Sequence, residues 1–241
     1  MKKIKIQRFL QEPGHCSIAS AATVANFYNE DINYENTKKV ARKIVKETKD
    51  GMDSGEIGRL LNILGFNKVS LVSSNLLLFD WAWARLKRKK FLEKLKESKN
   101  KIHPDYRTTA CSIYKWLKKD EFDNKVILDY NFGHYIRNFI DKNKPIIATF
   151  NWSLYFKYAK MGEKKEEDPI KGDFEEHAVV IYGYNKYGAY ICDSHHQHYK
   201  YKRKKYRKGF YRINWENLMV VMALSDLFLP EDYNRNILSE Y

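Results

Sequence analysis

Cysteine is scarce in this chain and never paired in the sequence. Cys16, Cys111 and Cys192 stand far apart, the count is odd, and no CxxC occurs. That excludes a disulfide framework and a cysteine-rich zinc site, and it fits a reducing compartment. Long apolar runs are missing as well. The longest, Asn75 to Ala84, is broken by Asp80 and is too short to cross a bilayer. The first residues, MKKIKIQRFLQEPGHC, are basic but lack an apolar core of signal-peptide length. No internal repeat is visible. These absences lead to the expectation of a soluble, cytoplasmic protein. Its 241 residues suffice for a sizeable core, and we expect one domain over residues 1–241.

What the chain has in excess is positive charge, and it is concentrated. Arg85 to Lys101 holds nine Lys/Arg against Glu93 and Glu97, and Lys200 to Lys208 holds seven with no acid. Each segment carries +7, which accounts for the whole net charge of +14. Such segments can attract acidic protein, nucleic acid or an anionic membrane surface. The plainer reading is compositional: the chain is also rich in Lys, Asn, Ile and Tyr, a bias that AT-rich coding can produce.

Apolar spacing organises the rest. Residues 16–28 form a predicted helix filled with Ser, Ala and Val, whose small side chains suit a central, closely packed position. A second helix is expected over Asn36 to Glu47. A third follows DGMDSG, with Ser54 as its cap, Ile57, Leu60, Leu61 and Leu64 as its stripe and Gly65 at its end. Residues 76–101 look like one long basic amphipathic helix, and another helix is expected over Thr109 to Lys118. KIKIQRF, KVILDY and PIIATFNW read as strands, with YIRNFIDKNK a helix between the last two. Lys157 to Glu176 reads as a loop. HAVVIYGY, NKYG and AYICD form a predicted hairpin, followed by FYRINW and by LMVVMAL as a buried strand. A helical first half and a sheet-rich second half imply an α+β fold with a site between them.

Four residues carry candidate chemistry. Cys16 opens the first helix, where backbone N–H groups and the helix dipole lower a thiol pKa. Gln11 precedes it by five residues, and Pro13-Gly14 offers a turn that folds the Gln11 amide back as an oxyanion donor. Gln7 is a weaker competitor for that role. His177 opens one hairpin strand and Asp193 closes the other, so Asp193 can orient the imidazole if both face the same way. That requires Asp193 to pair near Val179, hence an odd loop or a bulge around NKYG; an ideal four-residue loop puts them on opposite faces.

Together, Q-E-P-G-H-C-S-I-A-S-A-A, the later H-A-V-V-I-Y-G-Y and I-C-D resemble the papain-like cysteine peptidase clan. They are most similar to the group containing the bacteriocin-leader (double-glycine) peptidases, with a weaker likeness to phytochelatin synthase. LLNILGF, NKPIIATF and FYRINW add to the resemblance, which spans roughly Gln7 to Leu224. It implies a helical N-terminal half, carrying the Cys helix, packed on a mainly antiparallel sheet. It implies Cys16 as nucleophile, His177 as base, Asp193 as the orienting residue, and Gln11 with the Cys16 N–H around the oxyanion. No cofactor or metal is required. Three positions depart from the pattern: Ser17 replaces the usual Gly, the Gln–Cys gap is five rather than six, and Ser194 replaces the frequent Pro. The basic segment of about 76–103 resembles an insertion.

Other readings compete locally. DSHHQH, Asp193 to His198, holds imidazole and carboxylate groups suited to zinc or copper, but a defined structural site fixes four ligands, and the remaining ones are not evident. The basic ribbon of about 199–212 could stack bases and contact phosphates, or serve as a charged edge hairpin. Bordering the site, its Lys202, Arg203, Lys204 and Lys205 would favour acidic peptide. Arg85 to Lys101 with Trp81 and Trp83 suits a membrane surface or, by default, core packing. The expected partner is a peptide or protein substrate, acidic if the ribbon selects it; nucleic acid and peripheral membrane contact are not expected. Acyl transfer through the same thioester is one alternative. A catalytically idle module that binds acidic protein or nucleic acid is the other.

Overall fold

The computed structural model describes residues 1–45, 51–98, 101–161, 166–195 and 208–235. Eight strands share one sheet: β1 (Lys2–Lys3), β2 (Phe66–Ser73), β3 (Lys125–Leu128), β4 (Ile146–Asn151), β5 (Glu176–Asn185), β6 (Gly188–Cys192), β7 (Phe210–Asn214) and β8 (Asp226–Tyr233). Their order is β3-β2-β8-β4-β5-β6-β7, with β1 pairing the far end of β5. Among the described residues only β2 and β3 run parallel; the other pairs are antiparallel.

Helices cover both faces. The helices α1 (Cys16–Tyr28), α2 (Tyr34–Ile44), α3 (Ser54–Ile63), α4 (Arg88–Ser98) and α5 (Pro104–Leu117) pack on one face with Leu71, Ile147, Ala178, Val180 and Phe228. The opposite face carries α6 (Phe132–Asp141), α7 (Trp152–Phe156) and α8 (Trp215–Val221), packed on Val72, Ile146, Ala148, Val179, Ile181 and Leu227. Successive residues of β4, β5 and β8 thus feed opposite cores, as the two-residue period of a strand requires. Ala19, Ala21, Ala22 and Ala25 are fully buried, so small side chains let α1 lie close on β5.

The mixed architecture with a mostly antiparallel sheet is the one expected, and α1 begins and ends where its spacing places it. Several elements differ. The first half is not purely helical, because β2 lies inside the sheet between β3 and β8. KIKIQRF supplies only the two residues of β1 to the sheet. Trp152, assigned to a strand, starts α7, where the Asn151 side chain accepts from the Leu154 N–H. LMVVMAL is not a strand. The Asn214 side chain accepts from the Asn217 N–H and starts α8, which buries Leu218 and Val221 and leaves Met219 and Val220 exposed. The strand comes next, as β8.

The long basic helix over 76–101 is also broken. Asp80 accepts from the Ala82 N–H and starts a 3-10 segment at Trp81–Arg85, and Leu86 is extended before α4 begins. Phe91 and Leu95 of α4 are buried, while Lys89 and Lys90 are exposed. Ser54 does not cap α3. Asp53 and Glu56 form a capping box, and the Ser54 hydroxyl donates to Asp226.

Candidate active site

Cys16 is the first residue of α1, where the leading N–H groups have no intrahelical acceptor. The turn before it has the form its sequence implies. The His15 N–H donates to the Glu12 carbonyl at 3.0 Å, and Gly14 takes a φ of 76°. Proline second and a left-handed glycine third are what a type II turn needs. This turn brings Gln11 and Cys16 to the same cleft.

The hairpin answers the question of facing. Val180 pairs with Cys192 and Ile181 with Ile191, but Gly183 pairs with Tyr190, so Tyr182 is an extra residue in β5. This bulge, rather than the loop, shifts the register; the loop itself is only Lys186-Tyr187 between paired Asn185 and Gly188. Asp193 therefore follows Cys192 beside Val179, on the face of His177. The result is a 2.8 Å hydrogen bond from His177 Nε2 to Asp193 Oδ1, with the imidazole 3% exposed and the carboxylate fully buried.

Asp193 is held from several sides. Its Oδ1 also accepts the His195 N–H at 2.9 Å, and its Oδ2 accepts the Tyr211 hydroxyl at 2.9 Å. Trp152 stacks on the His177 ring with centroids 4.5 Å apart and planes 19° apart. It covers the imidazole from the α7 side.

With Nε2 engaged, Nδ1 is the ring nitrogen left for the thiol. The His177 ring and the Ala178 N–H both act on the Cys16 thiol. Burial pushes the thiol up, but the His177 hydrogen bond and charge, the Ala178 N–H and the Ser17 hydroxyl bring it below the ordinary thiol range. For His177, burial favours the neutral ring; the Asp193 charge and hydrogen bond, with Cys16, overturn this and raise its pKa. Both shifts favour a thiolate beside an imidazolium. Ser17, at the position of the expected glycine, has its Oγ 3.9 Å from Cys16 Sγ.

The cleft has a volume of about 800 Å³, and Gln11, Gly14, Cys16, Trp152, His177 and His195 are among its lining residues. Its other walls carry Asp53, Glu56, Glu175 and Glu176, and among the described residues no Lys or Arg lines it. Glu176 is exposed to the cleft, yet desolvation by the surrounding walls, with the charges of Asp226 and Asp53, raises it to about 7.

A family model settles the kinship. The model of the Peptidase_C39-like family matches residues 3–221. The chain belongs to the Peptidase_C39-like family. This Peptidase_C39-like chain is a papain-like cysteine peptidase. Among solved structures it is similar to "a double glycine motif protease from AMS/PCAT transporter in complex with the leader peptide". The identity is 15%, 95% of each chain is covered, and the TM-score is 0.44. A search of curated proteins found no match.

The structure brings Cys16, Gln11, His177 and Asp193 of this C39-like chain together. Gln7 does not line the cleft. Among the described residues no three His, Cys, Asp or Glu side chains form a metal cluster. His196, His198 and ribbon residues 199–207, including Lys202, Arg203, Lys204 and Lys205, lie outside the described residues. Sequence reasoning missed Trp152 and Tyr211. Both stood in segments named above, PIIATFNW and FYRINW, but only folding brings those segments to His177 and Asp193.

Proposed function

We propose that this chain cleaves a peptide or isopeptide bond with Cys16 as the nucleophile. The observation that carries the reading is the buried Asp193–His177 hydrogen bond beside the half-buried Cys16 thiol, whose pKa His177 lowers. Cys16 Sγ attacks the carbonyl carbon, and the oxyanion is met by the Cys16 N–H and the Gln11 side-chain amide. His177 gives its proton to the departing amine, leaving a thioester on Cys16. Water then attacks the thioester carbon and gives His177 a proton. The thiolate departs, the acid product leaves, and the ion pair is restored. Asp193 keeps its charge throughout, holds the ring orientation and favours the imidazolium. Acyl transfer to an amine shares every step up to the thioester.

The substrate is a peptide or protein segment that enters the cleft. Its charge, in our reading, is the reverse of the acidic one expected from the ribbon. Among the described residues four carboxylates and no lysine or arginine line the cleft, so a cationic segment fits the walls beside Cys16 better. One sheet with helices on both faces supports reading the chain as one peptidase domain. The mechanism needs a free thiol, and all three cysteines are free, which supports the cytoplasm as its compartment.

The test is the pH dependence of Cys16 alkylation by iodoacetamide. We expect rapid reaction well below the ordinary cysteine pKa of about 8.5, and a midpoint that moves upward in His177→Ala. An ordinary thiol profile, indifferent to His177→Ala, would remove the ion pair and favour an idle binding module.

A further inference from the structure

Ser194 stands where the family pattern frequently has proline, and it makes a bond that proline has no hydrogen to make. Its hydroxyl donates to Gln11 Oε1 at 2.6 Å, and its carbonyl accepts the Gln11 N–H at 3.1 Å. Ser194 is 4% exposed and Gln11 8%, so water competes little for either bond. A carboxamide has a donor end and an acceptor end. Only the donor end stabilises an oxyanion; the carbonyl end in the same place would repel it. Pinning Oε1 against Ser194 turns the amide so that its NH₂ group is the end left for the cleft.

We propose that Ser194 is a positioning residue that sets this amide orientation for the reaction. The inference rests on the reading of Gln11 as oxyanion donor. Its backbone is itself held. Arg8 Nε donates to the Asp193 carbonyl at 2.5 Å, and Arg8 Nη2 donates to the His195 carbonyl at 2.9 Å, so one guanidinium braces the residues on either side of Ser194. The Asp193 N–H donates to the Gly209 carbonyl at 2.8 Å. A Cβ on Gly209 would fall 2.4 Å from Arg8 Nε, so a glycine there leaves room for the brace. Adjacent residues thus serve both halves of the chemistry: Asp193 aligns the base, and Ser194 aligns the oxyanion donor.

Two reactions of Cys16 separate this role from a general structural one. Acylation by p-nitrophenyl acetate passes through an oxyanion, whereas alkylation by iodoacetamide displaces iodide at a saturated carbon and forms none. In the full chain, Ser194→Ala should slow the p-nitrophenolate burst about 10–100-fold, the scale of a misplaced catalytic group. The rate and pH midpoint of alkylation should stay unchanged. Gln11→Ala should lose about 100–1,000-fold, the usual loss for one oxyanion donor. The double variant should be no slower than Gln11→Ala, because both changes remove one interaction. Ser194→Thr and Ser194→Val have the same shape and differ by a hydroxyl, so they decide the matter even if the alanine variant folds poorly. Threonine should retain acylation and valine should lose it.

Ser194→Val acylating at the wild-type rate overturns the proposal, as does a parallel loss of alkylation. If Gln11→Ala acylates normally while the thiolate remains reactive, the oxyanion reading of Gln11 fails and takes Ser194 with it. A wild-type Cys16 with an ordinary thiol profile fails at the earlier step, the peptidase mechanism itself.

Discussion

At the scale of single residues, the buried carboxylate of Asp193 sets the strictest condition. A fully buried charge must have its lone pairs met, or desolvation outweighs what it contributes. Its Oδ1 is met by His177 and the His195 N–H, and its Oδ2 by Tyr211. Tyr211→Phe removes that hydroxyl and leaves the ring, which packs beside Tyr155. The loss should be about 1–3 kcal/mol, the range for depriving a buried polar group of its partner. Urea denaturation should show it as a lower midpoint with an unchanged slope. An unmoved midpoint would mean that Oδ2 does not depend on Tyr211. The four residues that carry the proposed chemistry were legible before folding because each has a reactive group at the end of a patterned segment. Ser194, Tyr211 and Trp152 were not, because their meaning lies in contacts: Ser194 meets Gln11 across 183 positions of sequence.

At the scale of elements, the hairpin β5–β6 brings His177 and Asp193 together, and its neighbours hold its register. β1 lies against one side at Gly183, and β7 against the other at Gly188. A Cβ on Gly188 would sit 1.9 Å from the Ile213 carbonyl oxygen and 2.7 Å from Asn214 Cα, both backbone atoms that cannot rotate away. Gly188→Ala should therefore force β6 and β7 apart and cost about 1–3 kcal/mol, as overpacking does. A urea midpoint equal to the wild type's would show that β7 yields without cost. The hairpin also marks how far pattern reading reaches. The requirement for an odd residue followed from the two-residue period of strands, and Tyr182 is that residue. Its place could not be read, since any residue of the strand can bulge. LMVVMAL shows the opposite limit. A short apolar run suits a helix or a strand equally, and the Asn214 cap decided for the helix. β2, whose last five residues are buried, lacks the alternation that announces a half-exposed strand. β8 contains Pro230, a residue that argues against a strand, yet Pro230 pairs with Val69.

At the scale of the molecule, charge is divided between surface and cleft. The chain is strongly basic, with a net charge of +14, yet the cleft around Cys16 is walled by carboxylates. The basic α4 segment turns its lysines to solvent while Phe91 and Leu95 enter the core, so its charge faces away from the apolar layer. Among the cleft carboxylates, Glu176 adjoins His177 and is raised to about 7. Its pKa is raised, so the group is neutral below that pH and negative above it. The potential beside Cys16 should therefore become more negative as pH rises through about 7, where an ordinary glutamate near 4.3 would already be fully charged. Paired methanethiosulfonate reagents, one carrying a trimethylammonium group and one a sulfonate, read this directly on the Cys16 thiolate. Both depend equally on the thiolate fraction, so their rate ratio cancels it and leaves the local field. The cation should be preferred throughout, and the preference should grow across neutral pH. Glu176→Gln should remove that growth while leaving the preference supplied by the other carboxylates. Added salt should shrink the ratio, because the cleft is open to screening ions. A flat ratio in the wild type would place the titration elsewhere. A preference for the anion would mean that the basic surface, and not the cleft wall, governs what reaches Cys16.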